Sequence, residues 1–172
     1  VWRGAAGPSA ISIQPSLDLV SVDSNIGATS INIWGQIPIN GNDTEYDFTL
    51  AQEVGEYGAV SLTSYYYDGP FLESDSHDIE VGVAVSHSGA DLFVGRFVSG
   101  DDVKDDTYIE LGYELDGYNF HIGAGDGSYT AEGDSFALVN VGVSVETEGG
   151  YGASFIYNPD SETSFFVVSK SW

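Results

Sequence analysis

The chain contains no cysteine and no methionine, and only four of its 172 residues are lysine or arginine. Without cysteine there is no disulfide framework, no thiol nucleophile and no thiolate metal site. The missing initiator methionine fits a mature chain whose targeting segment has been removed. Four basic residues face 27 Asp and Glu, for a formal net charge of −23. Such a chain repels phosphate backbones, which excludes nucleic acid as a partner. Long apolar runs are missing too, so no transmembrane helix is expected, and any membrane crossing falls to strands. Helical periodicity is lacking. Glycine, at 22 residues, is well above its usual share of about 7% and depresses helix formation.

What is present is apolar substance in a regular pattern. Hydrophobic residues make up 42% of the chain and aromatics 13%, enough to order it despite its charge. Apolar and polar residues alternate with period two almost from end to end, the mark of strands with one apolar face. The runs are Ile11–Leu19, Ile31–Ile39, Tyr46–Leu50, Val60–Tyr66, Ile79–Val85, Leu92–Val98, Ile109–Leu115, Tyr118–Ala124, Ala137–Val145, Tyr151–Tyr157 and a closing strand through Phe166, Val168, Lys170 and Trp172. With the opening Val1–Gly4 as the end of a first strand, the count is twelve. In Ala137–Val145 the alternation sets Ala137, Val139, Val141, Val143 and Val145 against Phe136, Leu138, Asn140, Gly142 and Ser144. In Leu92–Val98 it is ambiguous, because Leu92, Val94 and Val98 compete with Phe93 and Phe97. Tight turns near Asp23, Glu56, Ser88, Asp116-Gly117 and Gly149 alternate with mostly longer loops at Asp68–Asp78, Gly100–Asp106 and Gly127–Gly133.

A β-sandwich also alternates. The non-apolar positions here, however, are crowded with Gly, Ala, Ser and Thr as well as Asp and Glu, which suits a narrow lumen or a strongly curved wall. Short turns at one end and longer loops at the other are usual in outer-membrane barrels. The aromatic end, with Phe166, Val168 and Trp172 alternating before it, matches the terminal strand read by outer-membrane insertion machinery. The expected fold is all-β: a closed, antiparallel, up-and-down transmembrane β-barrel of about twelve strands, forming one domain over residues 1–172. In lipid the sheet must close on itself, because an open edge leaves amides unsatisfied.

Several segments carry a resemblance: Val1-Trp2-Arg3-Gly4 followed by Gln14-Pro15-Ser16-Leu17-Asp18-Leu19, the closing Val168-Ser169-Lys170-Ser171-Trp172, and in part Ile79-Glu80-Val81-Gly82-Val83 and Ile109-Glu110-Leu111-Gly112-Tyr113. In these the sequence resembles the TorF-family porins of proteobacteria, small outer-membrane β-barrels. The resemblance implies a small outer-membrane channel. This chain starts inside the family's first strand, so that strand is expected to be truncated at its N-terminus, and the chain is more acidic than the family.

No catalytic set is visible. His77, His87 and His121 fall in a loop, near a turn and in a strand, with no nucleophile at a recognisable spacing, and no enzyme is expected. The acidic residues say more. Asp18, Glu45, Asp47, Glu80, Glu110 and Glu114 share the face opposite the apolar one, which in a barrel lines the lumen. Two like charges ~8 Å apart repel by about 2 kcal/mol at an effective dielectric near ~20, and by about 0.5 kcal/mol in water. Such a lumen should be wet, carry cations, or hold some carboxyls protonated. Asp101, Asp102, Asp105 and Asp106 in one loop, and Glu73, Asp75 and Asp78 in another, are weak Ca²⁺ candidates, since no loop has the ligand spacing of a dedicated calcium site. No other cofactor is expected.

Two functions follow. One is a passive, cation-selective channel for small polar or cationic solutes in the outer membrane of a Gram-negative bacterium, with the bilayer and insertion machinery as partners. The other is a structural barrel that packs against copies of itself as a homo-oligomer, in a membrane array or an extracellular polymer at the cell surface.

Overall fold

The computed structural model describes residues 12–38, 44–67, 76–100, 102–131, 133 and 135–170. The chain is all-β. Its strands are β1 (Ser12–Ile13), β2 (Ser16–Ser24), β3 (Gly27–Pro38), β4 (Glu45–Val54), β5 (Gly58–Tyr66), β6 (His77–His87), β7 (Ala90–Ser99), β8 (Thr107–Leu115), β9 (Tyr118–Gly125), β10 (Ala137–Glu146), β11 (Tyr151–Asn158) and β12 (Thr163–Lys170). They form one antiparallel, up-and-down sheet of twelve strands in sequence order. Among the described residues there is no α-helix, and no pairing joins β12 back to β1 or β2. The expected first strand, Val1–Gly4, lies outside the described residues.

The strand count of twelve arises differently from the sequence expectation. The single run Ile11–Leu19 becomes β1 and β2, which lie end to end against β3. Ser12 pairs with Pro38, Ile13 with Ile37 and Ser16 with Trp34, so the register continues across the gap. The interruption is Pro15, which has no N–H to give to the ladder. Its carbonyl still accepts the Gly35 N–H at 2.9 Å.

The tight turns form where Gly and Asp permit left-handed backbone. Ser88-Gly89 and Asp116-Gly117 each pair φ 52° with φ 81°. Positive φ at both central residues is the type I′ geometry whose twist matches a two-residue hairpin.

Alternation places the apolar side chains on the exposed face. Leu62, Val83, Leu111, Ile122 and Phe155 are each 46–54% exposed. The opposite face is the buried one. There Glu80, Asn140 and Thr63 lie at 2%, 4% and 8% exposure. Ile31, Val83 and Val141, which a sandwich would seal between two sheets, are exposed.

Two strands needed the structure to assign their faces. In β7, Phe97 is buried at 1% exposure while Leu92 and Val98 are exposed, so the phenylalanines take the polar-parity face. In β10 the expected alternation is corrected at its start. Leu138 pairs with Ala124 but Asn140 pairs with Gly123, so Val139 is an extra residue in a β-bulge. The bulge turns Val139 inward to 0% exposure and leaves Phe136 and Leu138 exposed, the reverse of strict alternation.

The chain divides into two compact units. The first holds the described residues of Pro8–Val85 and Gly95–Asp105; its core is Tyr65 and Phe97, with rings 5.5 Å apart, beside Thr63, Gln36 and Glu80. The second holds those of Ser86–Val94 and Asp106–Trp172, with Tyr108, Tyr129, Val139, Asn140 and Asn158 as its core.

Candidate functional site

In the first unit, register aligns Asp18, Asn32, Thr49, Thr63 and Glu80 in one row across β2 to β6. Asn32 Nδ2 donates to Asp18 Oδ1 at 2.9 Å and to Ser16 Oγ at 3.0 Å. The Thr49 and Thr63 hydroxyls are 3.0 Å apart, and the Tyr65 hydroxyl donates to Glu80 Oε1 at 3.3 Å. A carboxylate this deeply buried needs such donors to offset lost hydration. One residue pair along, Asp47 stands between Trp34 and Tyr65, and Glu45 pairs with Gln36. Glu45 and Asp47 are half-buried, whereas Asp18 is exposed.

The second unit holds the most connected polar cluster. The Tyr108 hydroxyl donates to Glu110 Oε2 at 2.5 Å. Asn140 Nδ2 donates to the same oxygen at 3.0 Å and lies 3.1 Å from the Tyr108 hydroxyl oxygen. With its amide nitrogen so engaged, Asn140 presents Oδ1 to His121 Nε2 at 3.1 Å. That nitrogen therefore carries the proton in this pair. Glu114, on the same face of β8, is exposed and outside the cluster.

Two glycines make the cluster sterically possible. A Cβ on Gly123 would come within 2.1 Å of the Tyr108 hydroxyl, and one on Gly142 within 2.3 Å of His121 Nε2. Each ring from one strand thus lies over a bare backbone on the next, the arrangement by which aromatics cover strand glycines. His121 is opposite Gly112 on β8 and Gly142 on β10, and its ring leans toward β10. At Gly112 is a cavity of about 210 Å³ lined by Asp91, Phe93, Glu110, Asn119 and His121, together with Tyr113 and Phe120.

Comparison with family models, with curated proteins and with solved structures gave no match.

Of the six acidic candidates, the structure brings Asp18 and Glu80 into one polar row, sets Glu45 and Asp47 beside it, and gives Glu110 a cluster of its own. Tyr108, Asn140 and Asp91 are not singled out by the sequence; the polar-face parity of Tyr108 and Asn140 is readable there, that of Asp91 in β7 is not, and their meeting depends on cross-strand register. Two of the calcium candidates among the described residues have other partners. Asp105 pairs with Arg96 at 2.9 Å, and Asp106 Oδ2 accepts the Ser128 N–H at 2.7 Å. Asp101, Glu73 and Asp75 lie outside the described residues, as does Trp172 of the proposed insertion signal. Among the described residues no three His, Asp or Glu side chains are placed to hold a metal ion. Phe166 and Val168 are exposed, at 73% and 68%. His77 does meet a hydroxyl, Ser64 Oγ to Nδ1 at 2.8 Å, with the Tyr66 ring 5.2 Å from its own.

Proposed function

We propose that the chain is an outer-membrane β-barrel that passes small polar or cationic solutes along an acidic interior. The observation that carries the reading is the inverted distribution of side chains: valines, leucines and aromatics are exposed on strand after strand, while Glu80, Asn140 and Thr63 are buried. In water such a face is a standing aggregation hazard; in a bilayer it is the expected exterior. Strand lengths agree. β8 has nine residues and β4 and β10 have ten, which at about 3.3 Å per residue and a tilt of 35–45° span roughly the 25 Å apolar band of an outer membrane. Closure of the sheet belongs to this proposal, since lipid tolerates no open edge. The resemblance to TorF-family porins in Ile109-Glu110-Leu111-Gly112-Tyr113 and the terminal strand points the same way.

The decisive experiment is a reversal potential across a planar bilayer under a salt gradient. Cation preference is expected; anion preference, or a protein that inserts and never conducts, would refute transport. A second reading is favoured by one observation, the tight filling of the polar face by Glu80, Phe97, Tyr108 and Asn140. A filled interior suits a structural barrel assembling with copies of itself. Insertion without conductance, together with ordered arrays free of lipid at the apolar face, would select it.

A further inference from the structure

We propose that the cavity at Gly112 is a binding site for a small organic ammonium or guanidinium ion. The inference deepens the transport reading by naming a solute class, and it rests on that reading only for the claim that the solute passes onward.

The cavity is built to accept hydrogen bonds. Both bonds made to Glu110, from Tyr108 and from Asn140, fall on Oε2, which leaves Oε1 to the cavity. His121 gives Nε2–H to Asn140, so in the neutral ring Nδ1 is a lone-pair acceptor. Asp91 adds a carboxylate from β7: its Oδ2 lies 3.7 Å from where a Gly112 Cβ would stand. Three acceptor-bearing side chains, Asp91, Glu110 and His121, therefore line a space that Gly112 keeps clear.

The same cluster leaves little choice of ligand. It supplies no Lys or Arg of its own, since none lines it. A bare metal ion needs at least three ligands within a little over 2 Å of one point, and the described residues offer no such group. An ion with several N–H donors spread over a few ångströms can reach acceptors that a single metal centre cannot. A volume of about 210 Å³ holds a few heavy atoms with their hydration. Phe93 gives the carbon portion, or the cation itself, an aromatic wall. Charge-assisted N–H···O⁻ bonds to two carboxylates are the strong kind, and they require donors. A cation without N–H groups gains only the Coulomb and aromatic terms.

The test uses the full chain refolded in detergent, titrated calorimetrically with butylammonium and methylguanidinium, and with tetramethylammonium as a cation of equal charge lacking N–H donors. Saturable binding of the first two is expected, with at least tenfold weaker binding of tetramethylammonium. Asp91→Asn and Glu110→Gln should each weaken butylammonium at least tenfold. Gly112→Val fills the floor without changing any charge and should abolish binding; the nearest atom to a Cβ there is 3.5 Å away, and heat-modifiable gel mobility checks that the variant folds. Equal affinity for tetramethylammonium, or variants that bind as wild type, would overturn the site. The two proposals separate cleanly. Binding without conductance keeps the site and sinks transport, whereas cation-selective conductance with no saturable butylammonium binding keeps transport and sinks the site.

Discussion

Leu111 is the centre of β8, four residues from Thr107 at one end and from Leu115 at the other, and it stands beside Ile122 of β9. Its side chain is 54% exposed and that of Leu115 is 51% exposed. The sheet therefore treats the two alike, and only the surrounding medium can tell them apart. In a bilayer, Leu111→Arg puts a guanidinium near the midplane, at a cost of about 2–4 kcal/mol. Leu115→Arg lets the charge reach the interface, at about 0–1 kcal/mol. At 1.4 kcal/mol per factor of ten, the central substitution shifts the folding equilibrium by roughly thirtyfold to several-hundredfold. In water both would change stability by less than about 0.5 kcal/mol. The assay is reversible guanidinium unfolding from lipid vesicles, comparing the two variants with wild type. Equal stabilities at the two positions would refute the reasoning, since nothing but depth in lipid distinguishes them.

Asn140→Leu should destabilise by about 1–3 kcal/mol, because Glu110 Oε2 and His121 Nε2 each lose a partner at a half-buried site; unfolding from vesicles measures it, and a loss under about 0.5 kcal/mol would mean that the cluster is dispensable. Gly123→Ala should cost about 1–3 kcal/mol as the Tyr108 hydroxyl is pushed off its place, while Gly149→Ala, whose nearest neighbour is 3.6 Å from the new Cβ, should change stability by less than about 0.5 kcal/mol; comparable losses would argue against the steric account. Arg96→Ala removes an exposed ion pair with Asp105 and should cost under about 1 kcal/mol, a loss that shrinks in high salt when unfolding is repeated at two ionic strengths. The double variant Glu80→Gln, Glu110→Gln should lower the cation-to-anion permeability ratio in a planar bilayer, and an unchanged ratio would place selectivity elsewhere.

The alternation in the sequence carried most of the strands and the identity of each face, because a period of two is a direct record of which side chains share an environment. It failed where that record is locally blank or shifted. In β7 both parities are apolar, so nothing in the residue types says that Phe97 rather than Val98 is inside. In β10 the bulge at Val139 inserts one residue, and parity read from Val141 backwards then misplaces Leu138. Pro15 marks a break in hydrogen bonding, yet the apolar pattern runs straight through it and hides the break. The candidate site was half legible. Glu110 and His121 are polar residues on an inward parity, but their connection runs through Tyr108 and Asn140, some 30 positions apart in the chain. No local spacing encodes that distance; it is set by the register of β8, β9 and β10.

The rings of Tyr108 and His121 also act as keys for that register. Slide β10 by two residues against β9 and every side chain keeps its face, so hydrophobicity raises no objection. His121 would then meet Asn140 or Ser144 in place of Gly142, and a Cβ would stand where its ring now lies, 2.3 Å from Nε2 at the present register. The notch at Gly123 works the same way for Tyr108. Adjacent strands can therefore check their alignment by shape as each hairpin docks, a safeguard that matters most in an environment where greasy surfaces no longer tell right pairings from wrong ones.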